Sequence, residues 1–311
     1  MKQSNRHQVQ FLAWLEKMSS DLNKAGRLGT ARNYRKALNS FSQFLCESGV
    51  QSLVWPDEST ILKYNSWLQY RGIVRNTISF YMRILRSACN KAAAHGIIPP
   101  DQLFSKVYTG VDKTRKRAVD EKLIASLLDM DLSCSHALAM TRDMFIFSYC
   151  TRGMAFIDMA MLKQNNIRGD ILVYNRKKTG QRLSVRIEDR TREIIERYSR
   201  PDSGYIFPIL GDFPPETKYR RYQTALGYYN RNLKRLCRIA GSEARLSSYT
   251  ARHSWASSAR KHHIPISVIS AGMGHDSEKT TMIYLSSLES SAVDNANRKI
   301  LSSLGKAGQE H

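Results

Sequence analysis

The chain has 311 residues, enough for two domains with separate hydrophobic cores, and its 48 Lys and Arg against 27 Asp and Glu give a formal net charge of +21 and a pI near 9.9. This imbalance predicts a polyanionic partner, and nucleic acid is favoured over an anionic membrane surface. No apolar run approaches the ~20 residues that span a bilayer, and the polar N-terminus has no apolar signal core, so we expect a cytoplasmic protein.

Residues 9–96 predict four helices with short breaks between them, because apolar residues recur at helical spacing in each segment. A start signal at Gly29 and Thr30 opens the second helix, and Gly49 ends it. The third helix is expected over residues 59–70 and the fourth over residues 76–95. These segments predict a small four-helix domain at the N-terminus.

The predicted four-helix domain is basic, since residues 1–112 hold 15 Lys and Arg against 7 Asp and Glu. Several of these residues lie beside helix starts or on polar faces, where they can contact phosphates. The alternative for each is a solvated helix face. The residues are Arg27, Arg32, Arg35, Lys36, Arg71, Arg75, Arg83 and Arg86.

Residues 101–119 show no periodicity and predict an extended basic linker that includes Lys113, Arg115, Lys116 and Arg117. Beyond it, residues 170–174 and 181–187 are rich in Val, Ile and Leu and flank the turn at 177–180, which predicts a β-hairpin. The other segments of this half predict helices at 120–130, 133–150, 153–163, 189–199, 217–240, 249–262, 265–271, 277–286 and 289–304.

The predicted fold class is therefore mainly α with a small β-sheet. We expect a four-helix N-terminal domain over residues 1–104, a basic linker over residues 105–118, and an α+β C-terminal domain over residues 119–311.

Metal chemistry has no support in the sequence. Five cysteines stand far apart without a Cys-x-x-Cys pair, which argues against both zinc and disulfides. The histidines do not cluster with carboxylates at ligand spacing. We therefore expect chemistry without a metal or any other cofactor.

The residues best suited to chemistry lie between positions 247 and 285. Arg252 carries a planar guanidinium that can donate two hydrogen bonds to a phosphate, and His275 can add a donor or handle a proton. Tyr284 can be a nucleophile if its neighbours stabilise the phenolate or the charge on phosphorus. The Tyr-Thr-Ala-Arg-His-Ser-Trp-Ala run around Arg252, the Gly-His pair at 274–275 and Tyr284 nine residues later resemble the end of the tyrosine recombinase (phage integrase) family, most of all its Bacteroides-type integrases and invertases.

The resemblance implies that the four-helix domain is a core-binding domain that grips one side of a DNA duplex. It also implies a catalytic lysine on the turn of a β-hairpin, which Lys178 matches, with the role of general acid. Lys177 is the alternative, because adjacent strand residues face opposite sides.

The resemblance implies two arginines on the scissile phosphate, and here the sequence departs from the pattern. An alignment on Asp158 and the helix after it puts Ala155 where the first arginine is expected. Arg152 lies three residues earlier, and positions three apart share one helix face. We therefore expect Arg152 to deliver its guanidinium from one helical turn back; the alternative is a local cap or a pair with Asp158, which itself looks structural.

A second departure stands at Tyr249, where the family commonly has a histidine. A phenol can donate a hydrogen bond to phosphate but does not exchange protons near neutral pH as imidazole does. Tyr249 is thus the weaker member of the expected set Arg152, Lys178, Arg252, His275 and Tyr284 (the nucleophile). The proton of the nucleophile has three possible exits, through solvent, His275 or a non-bridging phosphate oxygen.

The resemblance implies a site-specific DNA recombinase, an integrase or an invertase, that cuts and rejoins double-stranded DNA through a 3′-phosphotyrosyl intermediate. It implies four protomers on paired DNA sites and allows a monomer when the protein is free. The C-terminal segment from 289 is a candidate for docking onto a neighbour, with intramolecular packing as the alternative. Two other functions stay open: a non-catalytic DNA-binding relative, and a topoisomerase-like nicking and rejoining enzyme. The sequence alone does not define the target site or choose between integration, excision and inversion.

Overall fold

The computed structural model describes residues 10–50, 53–100, 102–112, 118–200, 204–211, 213–275 and 277–285. The chain divides into two compact units, Met1–Thr114 and Arg115–His311. The expected helix at 289–304 lies outside the described residues.

The first unit contains the expected four helices, α1 (Gln10–Lys24), α2 (Leu28–Glu47), α3 (Glu58–Tyr70) and α4 (Arg75–Ala94). They pack around aromatic side chains: Phe41 is fully buried, with its ring 5.6 Å from that of Phe11 and 5.0 Å from that of Tyr64. Each such side chain contributes about 1.5–3 kcal/mol by leaving water.

The predicted start of α2 was wrong. The helix begins at Leu28, so Gly29 and Thr30 lie inside its first turn, and no side chain caps it. The chain turns at Gly26, whose φ is +71°, and the next residue, Arg27, is the N-cap of α2. Helix α3 has a side-chain cap instead, because Asp57 accepts a hydrogen bond from the Thr60 N–H at 2.8 Å.

The segment 102–112 packs onto the first unit, although an extended linker was expected to begin at 101. Val107 is buried in the helical core with Leu103 and Phe104. Asn76 on α4 holds the backbone of Asp112 from both sides, donating to its carbonyl at 3.1 Å and accepting from its N–H at 2.8 Å. Residues 113–117 lie outside the described part of the chain.

In its described residues, the second unit is mostly helical and contains one small sheet. Its elements in chain order are α5 (Glu121–Leu128), α6 (His136–Cys150), α7 (Phe156–Met161), a 3₁₀ turn (Gln164–Asn166), β1 (Ile167–Arg168), β2 (Ile171–Asn175), β3 (Arg182–Arg186), α8 (Asp189–Tyr198), α9 (Pro215–Ile239), α10 (Thr250–Lys261), α11 (Ile266–Met273) and α12 (Glu278–Leu285).

The sheet is antiparallel with the strand order β1-β2-β3. It confirms the predicted hairpin, in which Tyr174 pairs with Leu183 and Asn175 with Arg182. Strand β1 was not predicted, because two residues are too few to show an alternating pattern.

Helix α6 lies at the centre of the second unit and packs against α5, α8, α9 and α10. Phe145 and Phe147 on this helix are fully buried, and the ring of Phe147 meets that of Phe207 edge-on at 5.0 Å. The one acidic residue of α6, Asp143, is buried and accepts hydrogen bonds from Arg142, Arg197 and Tyr198 at 2.7–2.8 Å. Because α6 is packed on several sides, it fixes the position of the turn at residue 152 that follows its C-terminal end.

Candidate active site

The turn after α6 has an unusual backbone. Arg152 has φ +61° and Gly153 has φ +77°. The Gly153 N–H donates to the Ser148 carbonyl at 2.8 Å and the Arg152 N–H to the Tyr149 carbonyl at 3.2 Å, which is a Schellman motif. Arginine thus occupies the left-handed position that glycine prefers, at a cost of about 1–2 kcal/mol.

This turn corrects the expectation for the helix that follows. The helix predicted from residue 153 begins at Phe156, with Ala155 as its N-cap. Arg152 and Ala155 therefore do not lie one turn apart on a helix, and the argument from helix periodicity was wrong. The two successive left-handed residues, Arg152 and Gly153, prevent a continuous helix from extending to Ala155.

Gly153 allows the turn to pack directly on Arg252. A Cβ atom at Gly153 would lie 2.6 Å from the Arg252 Cα and 2.7 Å from its Cγ. The carbonyl of Gly153 also accepts a hydrogen bond from the Arg252 Nη1 at 2.9 Å. The turn that carries Arg152 is thereby joined to α10.

Arg252 is buried at the start of α10, with a relative exposure of 4%. Its Nη2 donates to the Met273 carbonyl at 2.6 Å and lies 2.9 Å from the His275 Nε2. Because a guanidinium can only donate, the His275 Nε2 accepts and its Nδ1 carries the proton. That Nδ1 lies 2.8 Å from the Thr281 Oγ1 on α12, so a neutral imidazole joins the two helices.

The environment of His275 holds it neutral. Burial, and then the positive charges of Arg252, Arg176 and Lys178, lower its pKa to about 4. The cationic surroundings favour an anion beside the ring, and the phosphate of a nucleic acid meets that requirement.

The hairpin places Lys178 at an exposed position of its turn. The charge of Lys178 contributes to the low pKa of His275, whereas that of Lys177 acts on Asp158. The Lys177 N–H donates to the Asp158 Oδ1 at 2.8 Å. Burial raises the pKa of Asp158, against this hydrogen bond and the nearby cations. Of the two lysines, Lys178 is the one whose charge reaches the histidine.

The side chain of Arg152 extends towards the hairpin. Its Nη1 lies 3.4 Å from the Ser184 carbonyl on β3, and its Cδ lies 3.5 Å from the position of a Cβ at Gly272. The contact of the guanidinium is thus with the hairpin and not with Asp158, the local partner of the alternative interpretation. The Arg152 side chain is therefore held between β3 and α11.

Two tyrosines were expected at the site. Tyr249 is the N-cap of α10 and is 43% exposed. Tyr284 belongs to α12, three residues after Thr281, whose hydroxyl contacts His275. The helix that carries the expected nucleophile is therefore attached to the histidine one turn earlier.

One buried cation was missed by sequence reasoning. Arg176 follows β2, is 9% exposed and donates through its Nη1 to the Gly274 carbonyl. The alternation of β2 contained the signal, since Leu172 and Tyr174 face inwards and the next residue on that face is Arg176.

A basic stripe on α9 was also missed. Exposed residues recur there at spacings of three and four, which places them on one helix face about 26 Å long. The helical period combined with the charges would have revealed this basic stripe. It consists of Arg221, Thr224, Tyr228, Arg231, Arg235 and Arg238.

Three of the eight basic residues expected to contact phosphates on the first unit form ion pairs within it. Such exposed ion pairs contribute about 0–1 kcal/mol each, so a phosphate can replace the partner. The pairs are Arg35 with Glu16 at 3.0 Å, Arg71 with Glu47 at 3.1 Å, and Arg75 with Asp112 at 3.5 Å.

Within the described ranges, no cluster of His, Cys, Asp and Glu could hold a metal ion. The helices found in that same part of the chain are all too short or too polar to cross a membrane.

The buried Arg252 contacts His275, the charge of Lys178 acts on that histidine, and His275 in turn contacts the helix that carries Tyr284, in a basic protein with a separate helical unit. This arrangement defines the class of tyrosine recombinases. Sequence profiles agree: the phage integrase family matches residues 118–291, and the phage integrase SAM-like domain matches residues 10–107. The chain belongs to the phage integrase family.

Individual relatives support this assignment. The chain is 24% identical over 281 residues to the tyrosine recombinase XerD of Pseudomonas putida, covering 88% of this chain and 90% of that protein. The fold is similar to that of a lambda integrase dimer bound to a COC′ core site, with a TM-score of 0.65, 16% identity, and 88% and 94% of the two chains covered. It is also similar to the Tn1549 transposon integrase in complex with transposon right end DNA, with a TM-score of 0.61, 11% identity, and 94% and 99% covered.

Proposed function

We propose that this site-specific recombinase binds the scissile phosphate of double-stranded DNA between Arg252, Lys178 and Arg152 and attacks it with Tyr284. The observation that carries these roles is the contact of His275 with the buried Arg252, in which the His275 Nε2 lies 2.9 Å from the Arg252 Nη2. Burial and the charges of Arg252, Arg176 and Lys178 lower the pKa of this histidine to about 4. A phosphodiester anion would relieve the repulsion between those cations. The site is therefore organised for a negatively charged group.

In the proposed reaction the Tyr284 oxygen attacks phosphorus, and the bond from phosphorus to the 5′ oxygen breaks. A 3′-phosphotyrosyl bond forms, and Lys178 gives the 5′ oxygen its proton. Such proton transfer contributes about 10²–10⁴-fold in rate. The covalent bond preserves the energy of the phosphodiester, so a 5′ hydroxyl of a second duplex can reverse the step without ATP or a metal ion.

Arg252 has the fixed geometry that phosphate binding requires. Two of its nitrogens are oriented by the carbonyls of Gly153 and Met273, so little side-chain entropy is lost when phosphate binds. His275 has its Nε2 within reach of the same guanidinium. A phosphate oxygen bound to Arg252 would lie beside this nitrogen, where the imidazole can accept the Tyr284 proton or donate after a change of tautomer.

Arg152 is the proposed substitute for the arginine expected at Ala155. The supporting observation is the position of its guanidinium, whose Nη1 lies 3.4 Å from the Ser184 carbonyl on β3, the strand that follows the Lys178 turn. Tyr249 is the weaker proposal, as a phenol donor at the edge of the site.

The proposed partner is duplex DNA, and the proposed assembly is a tetramer on paired sites, formed from protomers that can be monomeric when free. The basic stripe on α9 and the arginines of α2 and α4 are the surfaces proposed for phosphate contact. A lambda integrase tetramer bound to a Holliday junction is similar in fold, with a TM-score of 0.65 and 14% identity. The SAM-like N-terminal match favours a recombinase over a topoisomerase-like enzyme.

The experiment that tests the proposal measures covalent complexes on denaturing gels. Wild type and Tyr284→Phe are incubated with nicked suicide duplexes that carry the DNA ends flanking the gene, in buffer with EDTA. We expect a slow-migrating adduct with wild type only. An adduct that persists in Tyr284→Phe would show that another residue is the nucleophile, and Tyr249 would be tested next. If wild type bound the DNA but formed no adduct, the result would favour a non-catalytic DNA-binding relative.

A further inference from the structure

Arg176 occupies a position that is costly for a cation. It is 9% exposed at the end of β2, where its N–H donates to the Gln181 carbonyl and its carbonyl accepts from the Gly180 N–H, both at 2.8 Å. A buried guanidinium is tolerated only when its hydrogen bonds are made. The backbone bonds close the hairpin turn, and the side chain turns inwards beneath it.

The partner of this side chain is the turn before His275. The Arg176 Nη1 donates to the Gly274 carbonyl, while the preceding carbonyl, that of Met273, accepts from the Arg252 Nη2 at 2.6 Å. Two arginines from separate elements therefore hold two consecutive carbonyls. The next residue along the chain is His275, so its backbone leaves a turn that is fixed on both sides.

Gly274 allows the hairpin to approach this turn. Its φ is +65°, and a Cβ there would lie 2.9 Å from the Arg176 Cδ, the Gln181 Oε1 and the Leu183 Cδ1. Real Cβ atoms do not make contacts that short. Side chains of the hairpin thus pack directly on the backbone of Gly274. The hydrogen bond from Arg176 is the polar contact between the hairpin and this turn.

On the other side of the hairpin, the buried Asp158 accepts the Lys177 N–H at 2.8 Å. The turn with Lys178 is held between this carboxylate on α7 and the Arg176 contact to Gly274. Loss of Arg176 would free one of these two attachments. It would let the lysine and the histidine move independently.

We propose that Arg176 is a positioning residue that fixes the Lys178 turn of the hairpin against the turn carrying His275. The inference rests on the proposed function, because it assigns to Arg176 the placement of the general acid. Lysine is a poor substitute for Arg176, since a single ammonium lacks the planar fork that can bond a carbonyl and face a second acceptor.

The test compares two leaving groups in the nicked-duplex cleavage assay. One substrate has the normal 5′ oxygen, and the other has a bridging 5′ sulfur at the scissile phosphate. A thiolate leaves without a proton, because a thiol has a pKa of about 8.5, so the sulfur substrate does not need the general acid. The variants are Arg176→Met and Arg176→Lys, with Arg186→Met on β3 as the matched control, since that side chain is 75% exposed and lies 3.9 Å from Glu188.

We expect Arg176→Met to cleave the oxygen substrate ~100-fold more slowly than wild type and the sulfur substrate within several-fold of wild type, as a general acid contributes about 10²–10⁴-fold. Arg176→Lys should be intermediate, and Arg186→Met should match wild type on both substrates. Lys178→Met should show the same rescue by sulfur as Arg176→Met.

Equal loss on both substrates would overturn the proposal and place Arg176 in phosphate binding or in the fold alone. Wild-type rates for Arg176→Met, or unfolded circular dichroism spectra for both Arg176 variants, would also overturn it. Failure of the proposed function is a different result, since wild type itself would then form no adduct with either substrate.

Discussion

The substitution Arg152→Gly separates the effect of the left-handed backbone at this position on stability from the effect of the guanidinium on cleavage. Glycine adopts φ +61° without the cost of about 1–2 kcal/mol that an L side chain pays there. Against this gain stands the loss of one long, exposed contact, from the Arg152 Nη1 to the Ser184 carbonyl at 3.4 Å, which contributes roughly 0.5 kcal/mol. The variant should therefore be about 0.5–1.5 kcal/mol more stable than wild type.

The same substitution should abolish cleavage. Loss of one preorganised donor to a transition-state oxyanion costs about 10²–10³-fold in rate, and we expect a loss of that size for the suicide duplex. Arg152→Ala should lose cleavage equally but remain strained, so it should be about 1 kcal/mol less stable than Arg152→Gly.

His263→Gly is the matched control, because His263 has the same φ, +61°, in a Schellman motif at the end of α10. It should be stabilised by a similar amount and cleave like wild type. The assay is calorimetry of the full chain, in which 1 kcal/mol moves the transition of a unit of this size by about 2–4 °C. A loss of more than about 1 kcal/mol of stability in Arg152→Gly would refute the strain argument, and cleavage at the wild-type rate would refute the role of the guanidinium in phosphate binding.

Three further predictions follow from the site and the DNA surface. Gly153→Ala should destabilise the second unit by about 2–4 kcal/mol in urea unfolding, because its Cβ meets Arg252 at 2.6 Å and its φ is +77°; unchanged unfolding would contradict this packing. The folded pKa of His275, about 4, lies below its ordinary 6.5, so the unfolded chain binds the proton first and stability should fall as pH drops from about 6.5 to 4. His275→Gln should flatten that part of the pH profile, and an NMR midpoint near 6.5 in wild type would refute it. Neutralising Arg231 and Arg235 together should weaken duplex binding and reduce the slope of log K against log salt by about 2; an unchanged slope would remove α9 from the interface.

Most elements of the fold could be predicted, because helices such as α4 and α9 are long and periodic and the hairpin has strong strand residues on both sides. The exceptions have local causes. The start of α2 is set by a turn at Gly26 rather than by a cap, and α7 is shortened by two left-handed residues that no pattern of apolar residues reports. The packing of Val107 depends on contacts with residues far away in the chain.

The sequence indicates a set of candidate residues but not their geometry. The resemblance to the family points to Arg252, His275 and the hairpin residue Lys178, and these remain predictions. The tautomer of His275 depends on distances to groups on other helices, and although the alternation of β2 places Arg176 on the inward face, its contact with Gly274 depends on a turn 98 residues away in the chain.

The hydrogen bonds that hold the two ends of the predicted linker also matter for protein engineering. Asp112 is tied to Asn76 on α4, and the Val119 N–H donates to the Ser254 hydroxyl at 2.9 Å, two residues from Arg252. A chimaera that exchanges the N-terminal unit to redirect DNA targeting should therefore be spliced between these two anchors. A splice after Val119 would place a foreign residue where the N–H donates to Ser254, and a proline at that position would remove this support of α10.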